Sequence, residues 1–196
     1  MHSEGRDAHI AELSGQIDTA MKVAKEAHGD QIRRYTEEFY WYHPLNVAKM
    51  LLTIPEGVSK SMVIAACLHD VLEDCPGWTA EKLISSGVPL LASCLVNELT
   101  DQAPMEFGNR AERKAVERWR LSNASGDAQT IKYADLICNL KSIVEHDKKF
   151  APVFLREMLA LLVWMDRGNP FLRRMAFEYA EVAQRVLKKG WTRGQV

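Results

Sequence analysis

Apolar residues along this chain return every three or four positions, the spacing of a helix face, and runs of alternating β-branched and polar residues are missing. Ile10, Leu13, Ile17, Ala20, Met21 and Ala24 form one such stripe and predict a first helix over about residues 8–29. A polar segment, GDQIRRYTEEFYWY, leads from it to His43-Pro44. Proline suits the start of a helix and pushes the residue before it out of the α region, so a second helix is expected here, running to about Thr53. A third, over about residues 59–74, is stopped by Cys75-Pro76-Gly77. Shorter helices near 79–86 and 88–100 are split by Gly87-Val88-Pro89. Asn109, with Glu112 three residues later, has the form of a capping pair and opens a helix to about Ser122. Gly126 separates that helix from a long one near 127–147. The last two are expected at about 150–166 and 170–189, with Gly168 closing one and Asn169-Pro170 supplying the N-cap and first position of the next. The pattern predicts an all-α fold of about eight or nine helices. No repeat, low-complexity tract or linker divides the chain, so residues 1–196 are expected to form one domain with its core over about 8–189.

Composition changes this picture little. With 196 residues, 47% of them hydrophobic and 26% charged, the chain has an ordinary globular profile and enough length for a sizeable core. A net charge of −1 carries no basic surplus of the kind that nucleic acids or membrane surfaces demand, so neither is an expected partner. A small phosphorylated molecule stays open, because local charge departs from net charge. Cys67, Cys75, Cys94 and Cys138 form no C-x-x-C pair and sit in apolar helical segments, which predicts buried free thiols in a reducing compartment. The opening MHSEGRDAHI lacks the apolar stretch of a secretory signal. The longest apolar run, Leu159 to Met165, falls far short of the ~20 residues that span a bilayer. A cytoplasmic location is the expectation.

The chemistry concentrates in AACLHDVLED, residues 65–74. On a continuous helix His69, Asp70, Glu73 and Asp74 share one face, while Ile64, Leu68, Val71 and Leu72 point into the core. Ala65 and Ala66, one turn earlier on the polar face, are small enough to leave space for something bound. Asp70, Glu73 and Asp74 lie close together at the negative end of a helix, where like charges repel and the dipole adds to the repulsion. A bound divalent cation removes that conflict; a solvated acidic helix end beside a surface histidine is the bland alternative. Asp135, in IKYADLICNLKSI, projects beside a stripe of Ile131, Ala134 and Cys138, with Asn139 one turn on. Together with His43 these residues offer two imidazoles and two carboxylates, a mixed N/O set suited to Mn, Fe, Co or Zn rather than Ca. Such a site with open positions lowers the pKa of a bound water.

The order His43, His69-Asp70, Asp135 resembles the H…HD…D signature of the HD phosphohydrolases. HDVLED looks like the HDxxED motif of the alarmone hydrolases related to the hydrolase half of RelA/SpoT proteins, and AHGDQIRR (27–34) resembles their AHxGQxRK segment. Tyr40-Trp41-Tyr42-His43-Pro44 is similar to their YxxHP, and KYADLICNL (132–140) to their KxADxxxNL. The resemblance covers about residues 20–165 and implies an HD-type helical fold. It further implies removal of the 3′-pyrophosphate from guanosine tetra- or pentaphosphate, usually with Mn²⁺, with Zn²⁺, Fe²⁺ and Co²⁺ as alternatives. By resemblance His43, His69, Asp70 and Asp135 are the metal ligands. Glu73 and Asp74 orient or deprotonate the attacking water. Arg33 lies on the purine face, where a guanidinium stacks well, Arg34 is a further substrate-binding residue, and Asn139 reaches the ribose. Tyr40 either lines the pocket mouth or plugs the core.

The sequence departs from that pattern between Arg34 and Tyr40. The family loop reads S-G-x-P, whereas Tyr35-Thr36-Glu37-Glu38-Phe39 has neither Gly nor Pro, and the family lysine after Arg33 is Arg34. Because this loop borders the expected base site, an adenine alarmone is weighed beside the guanine one. No synthetase or regulatory segment follows within the 196 residues, so the resemblance is to the small stand-alone alarmone hydrolases. Two other readings are an HD phosphohydrolase acting on another nucleotide or on NADPH, and a metal-stabilised sensor that binds a nucleotide without turnover. Arg110, Lys114 and Arg118 share a helix face that either attracts a polyphosphate or is a solvated face paired with Glu112 and Glu117.

Overall fold

The computed structural model describes the backbone of residues 2–101 and 108–192, and side chains over 15–101 and 108–188. The expected inward positions Ile10 and Leu13 therefore lie outside the described side chains. The helices fall into two compact units, residues 1–100 and 101–196.

The first unit contains α1 (His2–His28), α2 (Tyr42–Leu51), α3 (Lys60–Leu68), α4 (Val71–Asp74), α5 (Ala80–Ser85) and α6 (Leu90–Leu99). Ser59 caps α3 by accepting the Met62 N–H at 3.3 Å, and Thr79 caps α5 by accepting the Lys82 N–H at 3.2 Å. Helix α3 packs against α1, α2 and α6, and every residue from Met62 to Leu68 is buried. An element enclosed by three neighbours needs apolar residues all round rather than a stripe. The sequence-based expectation of a polar face with room beside Ala65 and Ala66 is thus corrected: both alanines are fully buried. The expected helix over 59–74 is also two pieces, interrupted at His69-Asp70.

Between α1 and α2 the chain makes a small hairpin. Ile32 and Phe39 form an isolated antiparallel bridge, Arg33 N–H donates to the Glu38 carbonyl at 2.8 Å, and Tyr40 N–H donates to the Gln31 carbonyl at 2.8 Å. Reversal over so few residues requires a left-handed position, which Glu37 occupies with φ of 55° at a cost of about 1–2 kcal/mol to a residue bearing a Cβ.

The second unit contains α7 (Arg110–Asn123), α8 (Gly126–His146), α9 (Ala151–Trp164) and α10 (Pro170–Thr192). The capping box expected from Asn109 and Glu112 is present: Asn109 Oδ1 accepts from the Ala111 and Glu112 N–H groups, and Glu112 returns a bond to the Asn109 N–H at 2.7 Å. Helix α8 packs on α7, α9 and α10. Its fully buried Gln129 ties the α7–α8 turn to the α9–α10 turn, donating to the Leu121 carbonyl at 3.0 Å and accepting from Arg167 N–H at 2.8 Å. Tyr133, also fully buried, donates its hydroxyl proton to the Met165 carbonyl at 2.7 Å. Gly168 has a different role from the helix-closing one expected. Helix α9 ends at Trp164, and a Cβ on Gly168 would lie 2.4 Å from the Tyr133 ring, so glycine is required for the close approach of two segments. Asn169 does cap α10, accepting from the Phe171 and Leu172 N–H groups at 3.0 and 3.2 Å.

The all-α expectation holds: among the described residues the only β feature is the isolated Ile32–Phe39 bridge. No helix among them is long and apolar enough to cross a membrane. None of the four cysteines is in a disulfide, but Cys94 is exposed and Cys138 half-buried, so burial applies to Cys67 and Cys75 alone.

Candidate metal centre

Three of the expected ligands meet within the first unit. His43 sits in the first turn of α2 beside Pro44 and is 1% exposed. His69 and Asp70 occupy the junction where α3 stops and α4 begins, which lets both side chains leave the packed helix on one side. The rings of His43 and His69 lie edge to face with centroids 5.2 Å apart. Asp70 lies between them: Oδ1 is 3.1 Å from His69 Nε2 and Oδ2 is 3.6 Å from His43 Nε2.

The tautomer of His69 follows from its other nitrogen. Nδ1 is 2.9 Å from the Ala66 carbonyl, which can only accept, so Nδ1 carries the proton. In the neutral ring Nε2 then presents a lone pair toward a carboxylate oxygen, an arrangement that calls for a proton or a cation. A ring nitrogen fixed by a backbone carbonyl, with its partner nitrogen facing oxygen donors, is how a metal-ligating histidine is held. The donor set fits a divalent ion of the first transition row or zinc.

Glu73 and Asp74 follow one turn after this junction, on the exposed side of α4. Loss of solvation at the Asp74 carboxyl, and then the charge of Asp70, push it above its ordinary value; the neighbouring Tyr40 hydroxyl, His28 and His69 oppose the shift. Tyr40 itself donates to Asp70 Oδ2 at 2.8 Å. Arg33 is half-buried in the hairpin, and Arg34 is exposed with its guanidinium 5.3 Å from the centre of the Tyr35 ring.

Asp135 belongs to the second unit, on α8, and is 3% exposed. Lys132, one turn before it, contacts Oδ2 at 2.9 Å, and Asn139, one turn after, donates Nδ2–H to Oδ1 at 2.6 Å. Glu117 on α7 is buried as well, bonded to Lys114; burial alone raises its carboxyl, but Lys132, Lys114 and Arg120 outweigh that and hold it below the usual range. The basic face of α7 is therefore partly neutralised. Arg110 forms a two-pronged pair with Glu157 on α9, both contacts at 2.8 Å, and Lys114 is taken by Glu117.

Two participants had no assigned role in the sequence reading. Lys132 stands three residues before Asp135, a spacing that by itself signals a helical ion pair. His28 is 4% exposed, lies against Tyr40 with ring centroids 4.7 Å apart and the rings tilted by 35°, and has Nδ1 at 2.8 Å from Gln31 Oε1 and 3.3 Å from Cys75 Sγ. His28 and Gln31 both lie in the AHGDQIRR segment, but nothing local in the sequence brings Tyr40 and Cys75 to them.

A helical chain with a His-Asp dipeptide at a helix junction, facing a second buried histidine, has the form of an HD-type protein. The sequence profile of the HD domain matches residues 20–162, and the chain belongs to the HD domain family. Among curated proteins it is similar to the human guanosine-3′,5′-bis(diphosphate) 3′-pyrophosphohydrolase MESH1, with 30% identity over 66% of this chain and 70% of that protein. The Drosophila melanogaster MESH1 is 31% identical over 66% of this chain and 70% of its own length. The enzyme of that activity from Aquifex aeolicus is 45% identical, but over 34% of this chain and only 9% of its own length. Among solved structures, one described as a metazoan ortholog of SpoT that hydrolyzes ppGpp superposes with a TM-score of 0.75 at 24% identity, covering 88% of this chain and 96% of the other. At that identity the likeness speaks for the fold.

Proposed function

We propose that this chain is a metal-dependent pyrophosphohydrolase that removes the 3′-pyrophosphate from guanosine tetra- or pentaphosphate or from the corresponding adenosine compound. The observation that carries the reading is the His43–His69–Asp70 cluster with its fixed His69 tautomer, followed one turn later by Glu73 and Asp74. The relatives named for this activity support it. The family profile runs through both units, which supports treating them as one catalytic domain.

In this reading His43, His69, Asp70 and Asp135 hold the metal, with Mn²⁺ as the resident ion. When bound, such an ion offsets charge at the attacked phosphorus and acidifies water. Glu73 and Asp74 orient that water and accept its proton. Water adds to the phosphorus on the ribose 3′ oxygen, the bond to that oxygen breaks, and one proton passes to it, giving pyrophosphate and a 3′ hydroxyl. Arg33 stacks on the base and Arg34 is a further contact to the substrate, while the ring of Tyr40 and the amide of Asn139 border the nucleotide. The hairpin over 35–39 departs from the family loop, and for that reason the adenine compound stands beside the guanine one. A reducing, cytoplasmic setting goes with this reading, one in which the four cysteines stay outside disulfides.

The test is turnover of guanosine tetraphosphate by metal-stripped protein with and without added Mn²⁺, alongside its adenosine counterpart and NADPH. Mn²⁺-dependent release of pyrophosphate is expected, and the ratio of the two alarmone rates reports base choice. Turnover of NADPH alone would move the assignment to another nucleotide. Metal binding without turnover of any of the three would make the protein a sensor.

A further inference from the structure

We infer that the hydroxyl of Tyr40 is a positioning group for the Asp70 carboxylate, and that the 31–40 hairpin with His28 behind it sets metal affinity rather than only contacting the nucleotide. The inference rests on the metal site of the proposed function.

A carboxylate on a short side chain turns about its last bond unless something pins an oxygen. Asp70 makes no side-chain capping bond to α4, so the helix it opens does not orient it. Tyr40 does, donating to Oδ2 at 2.8 Å from thirty residues away in sequence. With Oδ2 held there, 3.6 Å from His43 Nε2, the plane of the group places Oδ1 3.1 Å from His69 Nε2.

Tyr40 is held in turn from two sides. Its ring makes a tilted contact with buried His28 and meets His43 edge-on with centroids 5.8 Å apart. Its N–H bonds the Gln31 carbonyl, and the Gln31 side chain bonds His28. Hairpin, buried histidine and ligand carboxylate are thus linked through one phenol. The second unit treats Asp135 in a similar way, with Lys132 on one oxygen and Asn139 on the other. Groups that hold a ligating carboxylate commonly alter metal affinity by about 10–100-fold when removed.

Tyr40→Phe deletes the hydroxyl and keeps the ring contacts. The measurements are calorimetric titration of the metal-free full-length protein with Mn²⁺, the visible spectrum of the Co²⁺-loaded protein, the thermal midpoint without metal, and KM for the nucleotide at saturating Mn²⁺. The expected result is Mn²⁺ affinity weakened by about 10-fold or more, altered Co²⁺ bands and an unchanged metal-free midpoint. Wild-type Mn²⁺ affinity with a raised KM would overturn the inference and make Tyr40 a substrate contact, leaving the proposed function intact. A collapsed metal-free midpoint would overturn it too, by showing that the hydroxyl serves the fold. Failure of the wild-type protein to bind either ion would instead remove the metal site, and the proposed function with it.

Discussion

Glu117→Gln tests the charge network around Lys132, the lysine that contacts the Asp135 carboxylate. Glu117 is 7% exposed, bonded to Lys114, and within reach of the charges of Lys132 and Arg120. Burial pushes its carboxyl up, yet these cations outweigh burial and leave it below its ordinary value. A carboxylate depressed in the folded state contributes stability that is fully present above its unfolded pKa, about 4.3, and is lost as pH falls through the folded value. The size of the effect follows from exposure. Breaking a fully buried pair costs about 3–5 kcal/mol and an exposed one about 0–1 kcal/mol. With Lys114 at 33% and Lys132 at 18% side-chain exposure, the partners lie between those limits. About 1–3 kcal/mol at pH 7 is therefore expected on replacing the charge by a near-isosteric amide. Urea denaturation of both proteins at pH 7, 5, 4 and 3 measures it: the gap should be widest at pH 7 and close as pH drops below the folded pKa. A gap that is the same at pH 3 and pH 7 would assign the effect to packing and refute the electrostatic reasoning, as would a difference below ~0.5 kcal/mol at pH 7.

Gly168→Ala puts a Cβ 2.4 Å from the Tyr133 ring and 3.0 Å from the Thr130 backbone nitrogen; a loss of about 1–3 kcal/mol is expected by thermal melting, and an unchanged midpoint would mean that Tyr133 yields freely. Asn109→Ala removes the capping box of α7 and should cost about 1 kcal/mol, read from the urea midpoint; stability equal to wild type would show that the start of α7 is held by other contacts. Glu73→Gln should leave Mn²⁺ stoichiometry at the wild-type level while lowering kcat about 100-fold or more, and near-wild-type turnover would remove Glu73 from the proposed chemistry. Arg33→Ala should raise KM for the nucleotide with a smaller change in kcat; an unchanged KM would argue against base stacking.

The parts of the fold that sequence reading recovered are those decided within a few residues. The Asn109–Glu112 box and the Asn169-Pro170 start of α10 are local bonding patterns between a side chain and the next turn of backbone, so residue type and spacing suffice to find them. The pairing of Asp135 with Lys132 and Asn139 is local in the same sense, although spacing does not tell which of many such pairs matters. The break at His69-Asp70 was hidden because both residues keep right-handed backbone angles, near −58°, −31° and −94°, −6°, and the apolar spacing continues across them. Periodicity reads angles and faces; it does not register an interruption of the hydrogen-bond ladder. The exposure of Cys94 was missed for a related reason, since an apolar helical context does not say which face a neighbour covers.

By itself the sequence determined a helical chain and several of its caps, and it singled out His43, His69, Asp70 and Asp135 as candidate donors, because those features rest on local backbone chemistry and on residue type. Tertiary structure alone decided that α3 is enclosed on every side, that Gly168 serves a close approach and not a turn, and that Tyr40 reaches Asp70 while His28 backs Tyr40. Those contacts join residues a dozen or more positions apart. They form only where burial of apolar helix faces brings the segments together, and no spacing rule along the chain encodes which distant face that will be.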